Sequence, residues 1–331
     1  MLKKLTFFFL SIFLLYSYSA FSSDFNIAVF IPGVVGGNPI FEEVVKGVKK
    51  AHREFGFSFN IVEGGYNPGI WEDEFRALVL ANKYNYILTV TEGMPEIIKK
   101  VLPLSKNVKF LLLDGKIENI KNAYGVKFKD KEMTYLCGLF SALVTTSSMQ
   151  YANKLKKIGL IAGDVYPAME NELLPGYKEG AKSIDKDVDV IFSSVGSWND
   201  PGKGKEIAMA QYRQGVDIIL NIAGASGIGI IEAAKEKKGY VVCVDTNQNK
   251  KAPGIILGSA LKKINDVAYE TLRDAISGKI PYGTTKFEGI STGKIGFTID
   301  DPYFKKYVPV DIQQKMREFI QKIKEGQIKI Q

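Results

Sequence analysis

The feature that most constrains this 331-residue chain is a series of short apolar runs between residues 157 and 245, each followed by glycine or polar residues. The runs are KIGLIAG, VDVIFSSV, VDIILNIAG and YVVCVD, and helical segments separate them. Short apolar runs that alternate with helices are typical of parallel strands covered on both faces. Ligands bind at the carboxyl ends of such strands. The pattern therefore predicts an α/β fold with a small-molecule crevice near Trp198, Gly224 and Asp245.

The first half of the chain repeats this alternation. FNIAVFI, FSFNIVE, YNYILTV and VKFLLLD predict buried strands, and the segments between them predict helices. A polar stretch, TSSMQYANKLKK, separates the two sets of strands. About 310 residues follow the N-terminal leader described below, which is more than one hydrophobic core usually holds. We therefore expect two β/α lobes, each with its own parallel sheet.

The last third of the chain predicts how the lobes are connected. It contains another strand (IILGS), a helix (KKINDVAYETLRDAISG), one or two short strands and a final amphipathic helix. We expect one strand–helix unit to return to the first lobe and the tail to return to the second, so that three crossovers form a hinge. This predicts an N-terminal lobe of residues 24–127 plus 258–284 and a C-terminal lobe of residues 128–257 plus 285–331.

The first 23 residues predict export. Lys3 and Lys4 precede the apolar run LTFFFLSIFLL and the small-residue zone YSYSAFSS, which is the pattern of a secretory signal peptide. The alternative is an uncleaved anchor helix, which would need about 20 apolar residues. No cysteine lies near the cleavage zone, so lipid attachment is not expected. We predict a protein of the periplasm or the outer face of the cytoplasmic membrane, without a lipid anchor.

Composition argues against several classes of function. The net charge is +8, but the lysines are interleaved with acidic residues, as in KGVKKAHREF, so nucleic acid is not an expected partner. His52 is the only histidine, and no nucleophile motif accompanies it. Cys137 and Cys243 lie in apolar patterns typical of small buried residues. No spacing of Cys and His predicts a zinc site. We expect no enzyme activity, metal or cofactor.

A glycine-rich run, GASGIGIIEAAK, partly imitates a dinucleotide-binding motif. Gly224, Gly227 and Gly229 have the spacing G-x-x-G-x-G, whereas the dinucleotide motif requires G-x-G-x-x-G. We therefore do not expect NAD.

Two kinds of strand-end residue are candidate ligand contacts. Trp198, followed by Asn-Asp-Pro-Gly, is either a half-buried core aromatic or a ring that stacks on a flat ligand, a contact worth about 1–3 kcal/mol. Asp245 and Asp114 each end a predicted strand. Each is either a turn residue or a carboxylate that accepts hydrogen bonds from ligand hydroxyls.

Three further positions are weighed in the same way. If Ser259 caps the helix that follows it, Lys262 falls in the first turn, where a cation opposes the helix dipole. Lys262 is then either exposed or paired with a ligand or an aspartate. The loop PGVVGGNP, which includes Asn38, either presents backbone N–H groups to a ligand or is a flexible turn. Phe41 would face the crevice or the core. Asp130 is predicted to cap the helix DKEMTYLCGLFSALVTTS.

Several of these segments together resemble the basic membrane protein family, the PnrA-like substrate-binding proteins of ABC importers. The resemblance runs from about Asn26 to the C-terminus and is clearest in GVKFKDKEMTYLCGLFSALVTTS, GSWNDPGKGKEIA, GVDIILNIAGASGIGIIEAAK, VDTNQN and GSALKK. It implies a bilobal type I periplasmic-binding fold that closes on a nucleoside-like ligand. It also implies an ABC permease as partner.

The resemblance assigns roles to particular residues. Trp198 falls where the family has the aromatic of Gly-Ser-Phe-x-Asp, Asp245 falls on the aspartate of Gly-Val-Asp, and Lys262 falls on the lysine of Ser-x-x-Lys. Asp114 matches the aspartate that ends the fourth strand. The first motif departs from the family, because GNPIFEE places Ile40 and Phe41 where the family has Phe-Asn.

These features predict a monomeric, non-enzymatic solute receptor for a ring-plus-polyol ligand. GNPIFEE is similar to the opening helix of sugar-binding relatives of the fold, so a sugar is the alternative ligand. EGGYNPGIWEDEF and YPAMENELLPGY look like a branch that includes riboflavin binders, so the predicted ligand is a purine nucleoside or a flavin. An exported nucleoside hydrolase that uses clustered aspartates is the competing class.

Overall fold

The computed structural model describes residues 25–105 and 107–330, so the predicted signal peptide lies outside the described residues. The chain forms two compact units. The first comprises the described residues up to Val35, Glu43–Val126 and Asn265–Thr285. The second comprises Gly36–Glu42, Lys127–Ile264 and the described residues from Lys286 onward.

The sheet of the first unit has six strands. They are β1 (Asn26–Ile31), β2 (Ser58–Glu63), β3 (Tyr86–Val90), β4 (Lys109–Leu113), β5 (Ala123–Phe128) and β11 (Thr285–Glu288), in the order β11-β5-β4-β3-β1-β2. β1 to β5 pair in parallel. The helices that lie mainly in this unit are α1 (Pro39–Phe55), α2 (Pro68–Leu80), α3 (Met94–Val101) and α8 (Ile264–Ile276).

Apolar strand residues explain why this sheet is covered on both faces. The strand YILTV of β3 is buried along its whole length, whereas the edge strand β2 is only partly buried. On one face the rings of Phe30, Phe75 and Phe110 pack together, with centroids 5.3 Å apart for the first pair and 5.9 Å for the second. All three rings are fully buried, and burying such a side chain stabilises the fold by about 1.5–3 kcal/mol.

The sheet of the second unit has the same size. Its strands are β6 (Lys157–Ala162), β7 (Asp189–Ser194), β8 (Val216–Ile222), β9 (Tyr240–Cys243), β10 (Ile256–Lys262) and β12 (Ile295–Phe297), in the order β12-β10-β9-β8-β6-β7. Only the β10–β12 pairing is antiparallel among the pairs described for this sheet. The helices are α4 (Asp130–Thr145), α5 (Leu174–Lys182, preceded by a π turn), α6 (Pro201–Arg213), α7 (Gly227–Lys237), α9 (Pro302–Tyr307) and α10 (Val310–Lys324).

Close helix packing explains part of the second core. α4 lies against α5 at Gly138, where an added Cβ would come within 2.0 Å of the Tyr177 carbonyl oxygen. Only glycine permits this approach. Phe140 of α4 packs on Phe297 and Phe304, with centroids 5.0 and 5.7 Å away. None of the helices described here is long and apolar enough to cross a membrane.

The two parallel-dominated sheets confirm the predicted α/β fold. The domain prediction differs from the structure in two main details. Residues 36–42, predicted in the first lobe, belong to the second unit. The predicted boundary at Gly258 divides the strand IILGS and assigns its end to the first lobe, but β10 as a whole pairs with β9 and β12 in the second unit. The chain enters the first unit only at Asn265, after β10 has ended.

Candidate functional site

Trp198 and Gly224 lie together at the carboxyl ends of the strands of the second unit. β7 ends at Ser194, so Trp198 lies in the loop before α6. The prediction that Trp198 ends a strand is therefore wrong. Its indole ring lies against Gly163, the residue after β6, where an added Cβ would be 2.4 Å from Cε3. Gly224 has a φ of +56° and lies beside the same ring, since a Cβ added to Gly224 would be 3.4 Å from the Trp198 Cε3 atom. Trp198 nevertheless stays 43% exposed, so the ring is held in place and still accessible.

The loop around Trp198 is held by neighbouring polar groups. Ser226 is fully buried, and its hydroxyl accepts a hydrogen bond from the Asp200 N–H and donates to the Ser197 carbonyl, both at 2.8 Å. The Ser226 N–H donates to the Trp198 carbonyl at 3.2 Å. Tyr166 places a second ring beside the indole, with centroids 5.9 Å apart at an angle of 54°. Two aromatic rings, those of Tyr166 and Trp198, therefore lie side by side at this end of the sheet.

Asp245 follows β9 in a turn with left-handed backbone. Its φ is +70°, and its carbonyl accepts the Lys262 N–H at 3.0 Å. A positive φ is uncommon outside glycine but is tolerated by Asp and Asn. The residue is partly exposed, as expected just after a strand end.

Lys262 belongs to a buried charged cluster, and the prediction that it lies in a helix is wrong. Ser259 lies within β10, and Lys262 is the last residue of that strand. The Lys262 ammonium is 2.5 Å from Asp130 Oδ1, and both side chains are less than 10% exposed. Lys127 pairs with the other oxygen of Asp130, and the Lys262 ammonium lies 5.5 Å from the centroid of the Phe128 ring.

Asp130 joins the two lysines and does not cap α4. The cap residue is Lys129, which leaves Asp130 as the first residue of the helix. Burial raises the pKa of Asp130, but the positive charges of Lys262 and Lys127 outweigh it and hold that pKa below its usual value. The carboxylate therefore stays charged and fixes both ammonium groups.

In the first unit, Asp114 and Thr91 lie side by side at the ends of β4 and β3. Asp114 is 8% exposed and has a φ of +52°. Thr91 has a φ of +86°, and its N–H donates to the Leu113 carbonyl at 2.9 Å. A β-branched residue in this backbone region is an outlier, and such strain is concentrated at functional sites. The sequence carries no signal for the positive φ of Thr91, because that backbone angle depends on the pairing of β3 with β4.

Asn38 and Phe41 open α1. The Asn38 side-chain oxygen accepts the N–H groups of Ile40 and Phe41 at 3.2 and 3.5 Å, so Asn38 caps the helix. Phe41 is 5% exposed, so it is buried.

In the loop PGVVGGNP, which precedes α1, at least two backbone N–H groups already donate to side chains of the protein. The Val35 N–H donates to Glu63 at 3.0 Å, and the Gly37 N–H donates to Glu42 at 3.2 Å.

The residues with catalytic potential have structural roles. His52 lies on α1, and its Nδ1 atom is 2.6 Å from the Phe57 carbonyl oxygen. Cys137 and Cys243 are free and fully buried, and burial raises the pKa of Cys243 to about 12. That thiol is therefore a poor nucleophile at neutral pH. Among the residues described, no group of three or more His, Cys, Asp or Glu side chains could hold a metal ion.

Comparisons with known proteins agree with this architecture. Residues 25–331 match the Bmp family model, described as "ABC transporter substrate-binding protein PnrA-like". Basic membrane protein D of Borreliella burgdorferi (strain JD1) is 27% identical over a 339-residue alignment that covers the whole chain and 95% of that protein. The ABC transporter nucleoside-binding protein BmpA of Lactococcus lactis is 30% identical over 209 residues, covering 58% of this chain and 57% of that protein.

A crystal structure supports the same fold. The solute-binding protein of an ABC transporter system from Aeropyrum pernix K1 superposes with a TM-score of 0.81 at 21% identity, and the match covers 92% of each chain. At this level of identity the likeness shows the fold alone.

Proposed function

Because the chain belongs to the PnrA-like family of ABC transporter substrate-binding proteins, we propose that it is an exported receptor for a ring-plus-polyol ligand. A purine nucleoside and riboflavin both fit this description. The receptor would deliver its ligand to a membrane permease, as a monomer and without catalysing a reaction. The name of the Lactococcus lactis relative, which is nucleoside-binding, supports the nucleoside.

The observation that carries this proposal is the half-exposed indole of Trp198, held against Gly163. A flat heterocycle stacked on such a ring gains about 1–3 kcal/mol. A tryptophan that only filled the core would be buried, whereas this one is held firmly and left accessible. The ring is therefore suited to recognise a planar ligand.

The polyol part of the ligand would be bound by carboxylates. Asp245 and Asp114 lie at strand ends, each in a left-handed backbone conformation, and a carboxylate accepts strong hydrogen bonds from hydroxyls. We propose that Lys262, held by Asp130, lies near the same ligand. The proposed contacts are Asn38, Phe41, Asp114, Trp198, Gly224, Asp245 and Lys262.

Calorimetric titration of the purified protein tests this ligand class. The titrants are guanosine, riboflavin, ribose and galactose, and we expect binding of guanosine or riboflavin and none of the two sugars. Tight binding of a sugar alone would favour the alternative suggested by GNPIFEE and would leave the receptor function intact. Release of a free base from guanosine during the titration would favour the hydrolase and contradict the proposal.

Export is tested separately. N-terminal sequencing of the protein from the cell exterior or periplasm should show that the segment with Lys3 and Lys4 has been removed. A mature chain that begins near Phe21 or Asp24 is expected. Retention of both lysines would support an anchor helix.

A further inference from the structure

A polar network in the second unit holds the turn that carries Asp245. We call residues 245–249 the Asp245 turn. Asn249 in this turn is fully buried, and its side-chain nitrogen donates to Asp301 Oδ1 at 3.0 Å and to the Thr298 hydroxyl at 3.2 Å. Its side-chain oxygen accepts from the Ser259 hydroxyl at 2.9 Å. The turn is thus bound to β10 and to the segment before α9.

Asp301 is the centre of this network. Its Oδ2 accepts from the Asn247 side chain at 2.8 Å, and its Oδ1 accepts from Asn249. The same Oδ1 caps α9, because it accepts the N–H groups of Tyr303 and Phe304 at 2.9 and 3.0 Å. One carboxylate therefore joins the Asp245 turn to the first turn of α9.

The charge state of Asp301 fits this role. Burial raises the pKa of Asp301, but the hydrogen bonds from Asn247, Phe304, Asn249 and Tyr303 outweigh it and hold that pKa below its usual value. At neutral pH the group is a carboxylate that only accepts hydrogen bonds, so both oxygens remain available to the turn and to the helix.

Support from its neighbours helps to keep the Asp245 turn in one conformation. The left-handed region costs most residues other than glycine about 1–2 kcal/mol, and aspartate tolerates it better than most, so contacts that hold Asp245 at a φ of +70° need to offset only a part of that cost. The network opposes relaxation, since the Gln248 N–H donates to the Ser259 hydroxyl at 3.1 Å and the Lys262 N–H donates to the Asp245 carbonyl. The backbone angle of Asp245 sets the direction of its side chain.

We propose that Asp301 is a positioning residue for ligand binding, which holds the Asp245 turn through Asn247 and Asn249 so that the Asp245 carboxylate meets the ligand. This inference rests on the proposed function, in which Asp245 contacts the ligand. If it holds, the affinity for the ligand depends on Asp301, which lies just before α9 and not at the end of a strand.

Asp301→Asn tests the inference because it separates the two duties of the side chain. Asparagine is as good a helix cap as aspartate, so the bonds from Tyr303, Phe304 and Asn249, which all end on Oδ1, survive on its oxygen. Its amide nitrogen then faces the Asn247 donor, and that contact is lost. Asn247→Ala removes the same contact while Asp301 stays unchanged, and it also removes the bond from the Asn249 N–H to the Asn247 side-chain oxygen at 3.1 Å. Asp311→Asn, an exposed position in α10, is the control for the change of charge.

Hydrogen exchange without ligand reports on the turn itself. In Asp301→Asn and Asn247→Ala we expect faster amide exchange in a peptide that covers residues 245–250, with α9 unchanged in Asp301→Asn. Asp311→Asn should exchange like the wild type. Unchanged exchange in the turn in both test variants would overturn the inference.

Calorimetry with guanosine and riboflavin reports on positioning. Asp301→Asn should weaken binding by about tenfold, which corresponds to 1.4 kcal/mol. In an Asp245→Ala background the same substitution should have no further effect, because the carboxylate to be positioned is gone. An equal loss in both backgrounds would overturn the inference. Wild-type protein that binds neither probe would contradict the proposed function, and the exchange result would then decide alone whether Asp301 holds the turn.

Discussion

Replacing Gly163 with alanine should displace the Trp198 ring and weaken binding of a planar ligand. The new Cβ would lie 2.4, 2.6 and 2.8 Å from three carbons of the indole, whereas carbon atoms in contact prefer about 3.5–4.0 Å. The ring must therefore move by roughly 1 Å or more. Gly163 is not among the glycines with a positive φ, so its backbone tolerates alanine, and the partly exposed ring has room to leave.

The magnitude follows from the lost stacking. If the whole stacking contact of about 1–3 kcal/mol is lost, affinity for guanosine or riboflavin falls by about 5- to 150-fold. Gly296→Ala is the matched control, since no atom lies within 4 Å of its added Cβ. It should bind like the wild type.

The assay combines calorimetry with ¹⁹F NMR of protein labelled with 5-fluorotryptophan. The chain has two tryptophans, and Trp198→Phe identifies the Trp198 signal. Gly163→Ala should move that signal and leave the Trp71 signal in place. A moved signal with unchanged affinity for both heterocycles would refute a role for Trp198 in binding. An unmoved signal would refute the contact with Gly163.

Three further predictions concern neighbouring groups. Asp245→Ala should weaken ligand binding by about 1.5–3 kcal/mol, the scale of a hydrogen bond to a charged group; unchanged affinity by calorimetry would make Asp245 a turn residue only. Asp130→Asn should lower the free energy of unfolding at pH 7 by about 3–5 kcal/mol, because it leaves Lys127 and Lys262 buried without their carboxylate. The folded-state pKa of Asp130 lies below the unfolded value, so in urea titrations the wild-type advantage should be complete above about pH 5 and shrink as pH falls below about 4; a constant difference across that range would argue against the cluster. Riboflavin or guanosine should quench Trp198 fluorescence and ribose should not; equal responses would argue against stacking.

The fold was predictable because its signals are local. The buried strands β1, β3, β4, β6 and β8 are mainly apolar along their length, and parallel pairing follows from the helices between them. The lobe that receives β10 was not predictable in this way. Its membership depends on pairing with β9 and β12, which local composition does not encode.

The site was predictable as a set of strand ends and less so as a geometry. The sequence places Trp198, Gly224 and Asp245 at neighbouring strand ends, and the structure brings Trp198 and Gly224 into contact. The sequence gives no sign that Gly163 leaves space for the indole, because that contact joins loops that are distant along the chain. Ser259 does not cap a helix: it lies within β10, and its hydroxyl donates to the Asn249 side chain inside the second unit.

Native mass spectrometry of the protein purified from an expressing cell tests directly whether the chain is a receptor for a purine nucleoside or a flavin. We expect a single chain carrying one non-covalent ligand, whose mass after release is that of a purine nucleoside or a flavin. Protein that emerges empty should take up added guanosine or riboflavin at one molecule per chain. A released hexose, or an empty chain that takes up neither heterocycle, would contradict it.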